Sequence, residues 1–221
     1  MATITIGNIH GIVFDLDGTL LDSVEAHVES WIKALEKHGY REIDPIQLTS
    51  LIGLPGETII SIVAGPEALK EYRSIRKAKD EVFAELIKEG SVRLYRDVVD
   101  TLHILKDRGY KMGLATSTPS YILEELLNHL DIKGYFHVII PGDKVKRGKP
   151  DPEIFLKAFD ELEINPKYGV VVGDSIYDIK PGKEIGALTV LVDYRGIYSP
   201  GAWEEEPDIV IKKVSDLIKI L

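Results

Sequence analysis

Four short segments contain the side chains best suited to catalysis: residues 15–19, 115–117, 148–150 and 173–178. Each lies at or just after the carboxyl end of an apolar run, or in the loop beyond it. In an α/β protein the carboxyl ends of the strands converge on one crevice. Carboxylates, a hydroxyl and one lysine gathered in such a crevice suit metal-assisted attack on a phosphate group.

The first segment, Asp-Leu-Asp-Gly-Thr, places Asp15 and Asp17 one residue apart just past an apolar run. Two acids are costly to place there unless they are paired or bind a metal. Side chains alternate between the faces of a strand, so both carboxylates can share a site only where the strand ends and turns. Gly18 supplies that freedom, and the amides of such a turn can hold an oxyanion. The alternative is an ordinary turn followed by a helix cap.

The second and third segments offer a hydroxyl and a cation. Thr116 follows an apolar run, and its hydroxyl suits phosphoryl oxygens because it adds no titrating charge. Thr116 or Ser117 could equally be a helix N-cap before Pro119. Lys149 lies in the sequence Gly-Lys-Pro-Asp-Pro, whose prolines stiffen the turn, although a loop lysine is usually solvated.

The fourth segment adds two more acids. Asp174 follows three valines and a glycine, and Asp178 comes four residues later, near the start of a predicted helix. The alternative for Asp178 is a structural one, because an acid in the first turn of a helix is favoured by the helix dipole.

Composition limits the class of protein. The 221 residues are 44% hydrophobic, which supports a full core and one or two domains. The net charge of −9 disfavours binding to a nucleic-acid backbone, and the absence of cysteine excludes disulfides and thiolate metal sites. Residues 1–11 contain no basic leader, and no apolar run reaches the roughly 20 residues of a membrane span. We therefore expect a cytoplasmic protein, a monomer or weak homodimer, that binds neither membranes nor nucleic acids.

Predicted strands and helices alternate along most of the chain, and the four segments follow the strands or lie in the loops beyond them. Short apolar runs predict strands, and amphipathic patterns between them predict helices. The predicted strands are 9–16, 111–115, 137–140, 169–172, 189–192 and, at the end, 208–211. The predicted helices between and after them are 98–106, 120–130, 152–162, 177–185 and 214–221. This alternation predicts an α/β fold with a doubly wound parallel sheet, a Rossmann-like core.

One region interrupts the alternation. From about Leu21 to Arg93 the sequence predicts helices and no convincing strand. The predicted helices span 22–38, a segment starting at Asp44-Pro45, 57–63 and 66–90, and the first opens with a capping-box pattern of Asp22 and Glu25. We therefore predict a catalytic core of residues 1–20 and 94–221. Residues 21–93 form an inserted helical domain over the carboxyl edge of the sheet.

The four segments, in this order, resemble the motifs of the haloacid dehalogenase superfamily, and specifically of its phosphatases and phosphomutases. The resemblance implies that Asp15 is a nucleophile that forms an aspartyl-phosphate. It implies that Asp17 is the general acid/base, with a raised pKa, and that its backbone carbonyl binds the metal. True dehalogenases lack an acid at the position of Asp17, so its presence favours phosphoryl chemistry.

The same resemblance assigns the remaining polar residues. Thr116, with Ser117 and Gly18, would contact the phosphoryl oxygens, and Lys149 would offset the charge of Asp15. Mg²⁺ would be bound by Asp15, Asp17 and Asp174, supported by Ser175 and by Asp178, which holds a metal-bound water or orients Lys149. Three acidic side chains and a doubly charged phosphate exceed what one lysine can balance, so a divalent cation is required.

The inserted helices resemble the cap of phosphoglycolate phosphatases, sugar phosphatases and β-phosphoglucomutases. His27 and Trp31 match the sugar-phosphate branch, in which a histidine near this place lies close to the active site; the alternative is a helix face packed within the cap. Caps of this kind close over the site, exclude water and select the leaving group.

The loop Ile52-Gly53-Leu54-Pro55-Gly56 resembles the substrate-specificity loop of this cap, so Gly53 is a predicted substrate contact. In the mutase an arginine of this loop grips a second phosphate. Here Gly56 takes that position, and no arginine occurs between Arg41 and Arg73. We therefore expect a Mg²⁺-dependent phosphomonoesterase for a small phosphorylated metabolite. The alternatives are a phosphomutase and a non-catalytic binding protein that keeps the fold.

Overall fold

A computed structural model describes residues 8–221; the first seven residues, part of the segment searched for a leader, lie outside this range. In chain order the strands are β1 (Gly11–Phe14), β2 (Leu21–Asp22), β3 (Arg93–Leu94), β4 (Lys111–Ala115), β5 (Val138–Ile140), β6 (Gly169–Gly173), β7 (Leu188–Val192) and β8 (Ile209–Ile211). Within the described residues six of them form one sheet in the order β5-β4-β1-β6-β7-β8, and every neighbouring pair in it is parallel.

The helices are α1 (Val24–Lys37), α2 (Pro45–Leu51), α3 (Gly56–Val63), α4 (Tyr72–Lys88), α5 (Val98–Asp107), α6 (Ser120–Leu130), α7 (Glu153–Glu161), α8 (Ile176–Glu184) and α9 (Leu217–Ile220). Two predicted helices are split, because α4 and α9 are each preceded by a 3₁₀ segment, Pro66–Glu71 and Val214–Asp216. Such tight turns are common at helix ends. Across residues 8–221, no helix combines the length and the apolar character that crossing a bilayer requires.

Strand β6 illustrates why the sheet is covered on both faces. All of its residues are buried. Val170 and Val172 pack into one hydrophobic cluster with α5 and α6, while Val171 points to the opposite face and packs with α7. Side chains of a strand alternate between faces, and a parallel sheet covered by helices on both faces reads as a continuous apolar run. The predicted doubly wound α/β fold is confirmed.

The segment between β2 and β3 is helical and has a hydrophobic cluster of its own. Helix α1 packs against α4, and α2 and α3 close the remaining side. The largest buried side chains of this cluster include Trp31, Leu35, Leu48, Ile60 and Ile75.

We expected no strand between Leu21 and Arg93, and this expectation is wrong at both ends of that region. Leu21 pairs with Leu94, and Asp22 with Arg93, in an antiparallel two-residue ladder. Two residues are too few to show a period-2 pattern, so nothing in the local sequence marks them as strands. The pairing places the exit and the return of the chain side by side.

The capping box predicted for α1 is also wrong. The N-cap is Ser23, and no side-chain hydrogen bond caps this helix. The Ser23 hydroxyl donates instead to Asp17 Oδ1 at 2.7 Å. It therefore holds one of the acids at the carboxyl edge of the sheet and does not cap the helix. The predicted start of α2 is confirmed, because Asp44 accepts a hydrogen bond from the Ile46 amide at 2.9 Å.

Candidate active site

The order of the strands brings three of the four sequence segments together. Strand β1 lies between β4 and β6, so the residues that follow these three strands meet at one edge. They are Asp15 after β1, Thr116 after β4 and Asp174 after β6. The Asp15 amide donates to the Val172 carbonyl at 2.8 Å, which continues the ladder past the end of β1.

Lys149 reaches this edge from the loop before α7. Its Nζ lies 2.5 Å from Asp15 Oδ1 and 2.7 Å from Asp178 Oδ1, and the side chain is fully buried. Burial alone would lower the pKa of Lys149, but the two carboxylates hold it above its ordinary value. Lys149 is therefore a fixed cation beside Asp15, unlike a solvated loop lysine.

Asp178 combines the two interpretations offered by the sequence. One oxygen accepts from Lys149, and the other accepts from the Ser175 hydroxyl at 2.7 Å and, more weakly, from the Ser175 amide at 3.3 Å. The bond from the Ser175 amide is part of a capping box at the start of α8. The helix cap thus aims Asp178 at Lys149, and Ser175 acts through Asp178.

Three carboxylates form a cluster that could hold a cation. Oxygens of Asp15, Asp174 and Asp178 all lie within 4.8 Å of one another. Burial, followed by the charge of Asp178, raises the pKa of Asp174 to about 7. Burial also raises the pKa of Asp15, opposed by Lys149 and reinforced by the neighbouring acids. Lys149 contacts two of these carboxylates, and Arg195 lies 3.7 Å from Asp174. Hard oxygen ligands at this spacing fit a divalent cation such as Mg²⁺.

Gly18 was predicted to contact the phosphoryl oxygens, and the structure gives it a role in the turn after β1. Its amide donates to the Leu21 carbonyl at 2.8 Å, so it is not directed at an anion. Its φ is +81°, and a Cβ there would lie 2.2 Å from Asp174 Oδ2. Glycine is required because the turn needs a left-handed residue and because Asp174 packs directly against it.

The Asp17 side chain is turned away from the acid cluster toward three other partners. Its Oδ1 accepts from Ser23 and lies 2.9 Å from His27 Nε2, while its Oδ2 accepts from the Thr118 hydroxyl at 2.8 Å. Burial would raise the pKa of Asp17, but His27 and the two hydroxyls hold it below its usual value. The lowered pKa is opposite to the raised pKa that we expected of an acid/base. The metal contact predicted for Asp17 is made by its backbone carbonyl, and the orientation of the side chain does not affect that prediction.

His27 has two further contacts, on the parts of its ring that do not face Asp17. Lys79 Nζ, from α4, lies 3.0 Å from His27 Nδ1, and the ring stacks on Phe83 at a centroid distance of 4.1 Å. With Lys79 as donor, the neutral ring carries its proton on Nε2, facing Asp17. The contact with Asp17 is at ion-pair distance, although no acceptor is aligned with Nε2 as a hydrogen bond requires. Burial, and then Lys79, lowers the pKa of His27.

Thr116 and Ser117 are not helix caps, because the N-cap of α6 is Pro119. Thr116 is buried, and its hydroxyl accepts from the Thr118 amide at 3.1 Å. The Ser117 hydroxyl donates to the Gly53 carbonyl at 2.6 Å, which ties the sheet edge to the loop between α2 and α3. Ser117 and Gly53 are thus brought to the site, in contact with each other.

These residues surround a narrow cavity of about 40 Å³. It is lined by Asp15, Asp17 and Thr116 from the sheet edge and by His27, Gly53 and Arg76 from the helical segment. Beyond it lies an outer cleft of about 860 Å³, and Gly56, Arg76 and Ser117 line both spaces. A small molecule in the narrow cavity would meet the sheet edge and the helical segment at once.

Sequence reasoning missed Thr118 and Lys79. Thr118 stands two residues after Thr116, and a run of three hydroxyl residues past a strand is a signal that could have drawn attention to it. Lys79 lies four residues after Ile75 and four before Phe83, on the buried stripe of α4. A lysine at an apolar position of a helix is itself unusual and was the available signal.

Comparison with known proteins agrees with this geometry. Residues 12–192 match the family model described as haloacid dehalogenase-like hydrolase. The phosphoglycolate phosphatase of Salmonella typhimurium is 34% identical over 97% of this chain and 93% of its own length. The phosphorylated carbohydrates phosphatase of Thermotoga maritima is 28% identical over 96% of this chain and 98% of its own.

A solved structure shares the fold. CbbY from Rhodobacter sphaeroides, in complex with phosphate, superposes with a TM-score of 0.79 at 25% identity, over 95% of this chain and 96% of that chain. The curated relatives are phosphatases, in agreement with the enzyme class predicted from the four motifs. With the family model spanning most of its length, the chain belongs to the haloacid dehalogenase-like hydrolase family.

Proposed function

We propose that this chain is a Mg²⁺-dependent phosphomonoesterase that acts on a small phosphorylated metabolite through an aspartyl-phosphate. The observation that carries the proposal is the buried contact of Lys149 with Asp15 at the meeting point of three strand ends. It gives a carboxylate nucleophile a fixed cation and a fixed direction. The relatives named above support a sugar phosphate or a phosphoglycolate-type acid as the substrate class.

In the first step Asp15 attacks phosphorus. Lys149 binds Oδ1, which leaves Oδ2 as the attacking atom. A bond forms between Oδ2 and phosphorus, the bond from phosphorus to the substrate oxygen breaks, and the leaving alcohol takes a proton from Asp17. Lys149 and the Thr116 hydroxyl are placed to stabilise the transferred oxygens.

In the second step water attacks the aspartyl-phosphate. Asp17 accepts the proton of the water, the bond between Asp15 and phosphorus breaks, and phosphate leaves. The lowered pKa of Asp17 favours this proton-accepting form. Protonation for the first step is favoured when the doubly charged phosphate arrives, because a nearby like charge raises the pKa of a carboxyl group.

The acid cluster would hold Mg²⁺ through Asp15 and Asp174, with the Asp17 carbonyl as a further ligand and Asp178 beside them. When bound, the ion would neutralise charge on the phosphoryl group and on the acids. The raised pKa of Asp174 supports this assignment, because burial and the charge of Asp178 both disfavour the free carboxylate, and a bound cation would offset that penalty.

Residues 21–93 are proposed to be a cap domain over a core of residues 1–20 and 94–221. Three hydrogen bonds support a closed arrangement, each from a core side chain to the helical segment. Ser117 donates to the Gly53 carbonyl, Tyr177 to the Ser50 carbonyl at 3.0 Å, and Tyr121 to the Asp80 carboxylate. Closure would exclude water from the first step. A cytoplasmic location and a monomer or weak homodimer stay predictions.

The test is phosphate release from an aryl phosphate and from phosphorylated metabolites, with Mg²⁺ and with EDTA. We expect release that depends on Mg²⁺ and that Asp15→Asn lowers by at least about a thousandfold. Asp160→Asn, a change of the same type at an exposed position of α7, is the matched control and should retain activity. Release that persists in EDTA would contradict the metal role. No release from any ester would favour the non-catalytic alternative.

A further inference from the structure

Arg76, on α4, places a cation beside Gly56, at the end of the loop between α2 and α3, which has no arginine of its own. Its side chain is only 17% exposed and lines both the narrow cavity and the outer cleft. The guanidinium lies 5.9 Å from the centroid of the Trp31 ring, and Nε lies 3.0 Å from each oxygen of Asp80. An arginine is therefore held rigidly at the entrance of the space that contains Asp15.

Gly56 explains how a residue of α4 reaches this place. A Cβ at position 56 would lie 3.1 Å from Arg76 Nη1 and 3.2 Å from the Trp31 ring, both tighter than ordinary contacts. Any longer side chain at position 56 would occupy the space that the guanidinium now fills. The absence of a side chain at position 56 is therefore what allows the Arg76 guanidinium to lie beside the loop.

Arg76 is held by Asp80 through its Nε, which donates to both carboxylate oxygens. The hydroxyls of Tyr72 and Tyr121 also lie close to the guanidinium. A ligand would share the Nη groups with these two hydroxyls, and the planar fork of the guanidinium suits a carboxylate or phosphate.

Two cations, Arg76 and Lys79, lie beside the same carboxylate. Asp80 is shared by Arg76, by Lys79 at 3.8 Å and by the Tyr121 hydroxyl. Burial, and then the charge of Arg76, lowers the pKa of Lys79 to about 7. An anion entering beside Arg76 would relieve this repulsion.

We propose that Arg76 binds a second anionic group of the substrate while the phosphoryl group meets Asp15. The inference rests on the proposed phosphatase function and narrows its substrate class to short phosphorylated compounds with a carboxylate or a second phosphate. Because Asp15 and Arg76 line the same narrow cavity, we expect the two anions of the substrate to be only a few bonds apart.

The experiment compares three phosphate esters built on a two-carbon skeleton: 2-phosphoglycolate, 1,2-ethanediol bisphosphate and 2-hydroxyethyl phosphate. The first two separate a carboxylate from a second phosphate, and the third has no second charge. We expect wild-type kcat/KM to favour at least one of the charged esters over 2-hydroxyethyl phosphate by tenfold or more. Arg76→Gln should lower that preference by about 10- to 100-fold, the usual range for losing a charge-assisted pair.

Two further variants make the result specific. Lys88→Gln removes a positive charge from an exposed position of the same helix, outside the outer cleft, and should change the preference by less than about twofold. Arg76→Lys keeps a charge without the planar fork, so an intermediate preference is expected, and it serves if Arg76→Gln does not fold. No wild-type preference, or an equal preference in wild type and both Arg76 variants, would overturn the inference while phosphatase activity remains. No phosphate from any ester would overturn the proposed function, and this inference with it.

Discussion

His27 Nε2 lies 2.9 Å from Asp17 Oδ1, and Lys79 lies 3.0 Å from the other nitrogen of the same ring. The carboxylate proposed to move protons is therefore held by groups of the helical segment as well as by Thr118 of the core. Its protonation depends on whether the helical segment is in place.

The first prediction concerns the charge of Lys79. Burial and Lys79 both lower the pKa of His27, so Lys79→Met should raise it by removing a neighbouring positive charge. The rise is measured by NMR titration of the His27 ring. Lys77→Met, at an exposed position of the same helix, should leave the titration unchanged. An unchanged His27 titration in Lys79→Met would show that the charge of Lys79 does not influence the pKa of His27.

The second prediction separates proton transfer from positioning at Asp17. Asp17→Asn should slow alkyl phosphates by about 100- to 10,000-fold, because their alcohols leave only when protonated. An aryl phosphate has a better leaving group, so formation of its aspartyl-phosphate should be slowed less in a pre-steady-state burst. Equal losses for alkyl and aryl esters would give Asp17 a structural or metal-binding role instead.

The third prediction uses the raised pKa of Asp174. Between its ordinary value, about 4, and about 7, the folded metal-free protein binds more protons here than the unfolded chain. Stability of the metal-free protein should therefore fall as pH rises through this window. Asp174→Asn removes the charge and should raise the free energy of unfolding at pH 8 by about 1 to 3 kcal/mol while abolishing activity.

The same reasoning fixes the effect of Mg²⁺ on thermal unfolding. Cation binding relieves the repulsion and requires deprotonated ligands, so Mg²⁺ should raise the Tm of the wild type more at pH 8 than at pH 5. The increase should be much smaller in Asp174→Asn. An equal increase at both pH values, or in both proteins, would mean that Mg²⁺ binds elsewhere.

The fourth prediction concerns the buried cation. Lys149→Met leaves Asp15 and Asp178 facing each other without a partner, which should cost about 3 to 5 kcal/mol of stability in the metal-free protein. Activity should fall to background. Lys146→Met, an exposed lysine three residues earlier, should change neither quantity appreciably. Comparison of urea midpoints and of phosphate release tests both parts, and a stable but inactive Lys149→Met would restrict Lys149 to catalysis.

The fifth prediction separates hydrolysis from phosphoryl transfer to a second substrate. We supply β-glucose 1-phosphate with a trace of the 1,6-bisphosphate and follow both products. Free phosphate should accumulate faster than glucose 6-phosphate, because the loop position of the mutase arginine is Gly56. The reverse order would mean that Arg76 grips the bisphosphate well enough for transfer, and would favour the mutase.

The sequence was sufficient for the fold because its strands are uninterrupted apolar runs. Strand β4 and helix α6 begin and end where predicted, and β6 extends one residue further, to Gly173. Strand β1 is shorter than predicted, since the flanking Ile9 and Leu16 are buried without being part of the ladder. Burial, rather than strand pairing, explains their apolar character.

The sequence was less informative about what surrounds Asp17. Its low pKa comes from groups at positions 23, 27 and 118, which only the tertiary fold brings together. Arg76 was missed for a related reason, because a search of the specificity loop for an arginine could not reveal one that arrives from α4. Spacing along the chain predicts which residues share an element, but it does not predict which element fills a space left by a glycine.

The short pairing of β2 with β3 has a consequence for how such a chain can change over time. Leu21 and Leu94 are neighbours in space, so everything between them is a loop whose two ends are already joined. Closing a longer or shorter loop at that point changes the entropic cost only slightly, since the cost grows with the logarithm of length. Another helical segment could therefore be joined at these two residues if it also replaced the packing of Ala26, Phe83 and Leu86 against the core. Such an exchange would give one catalytic edge access to new substrates.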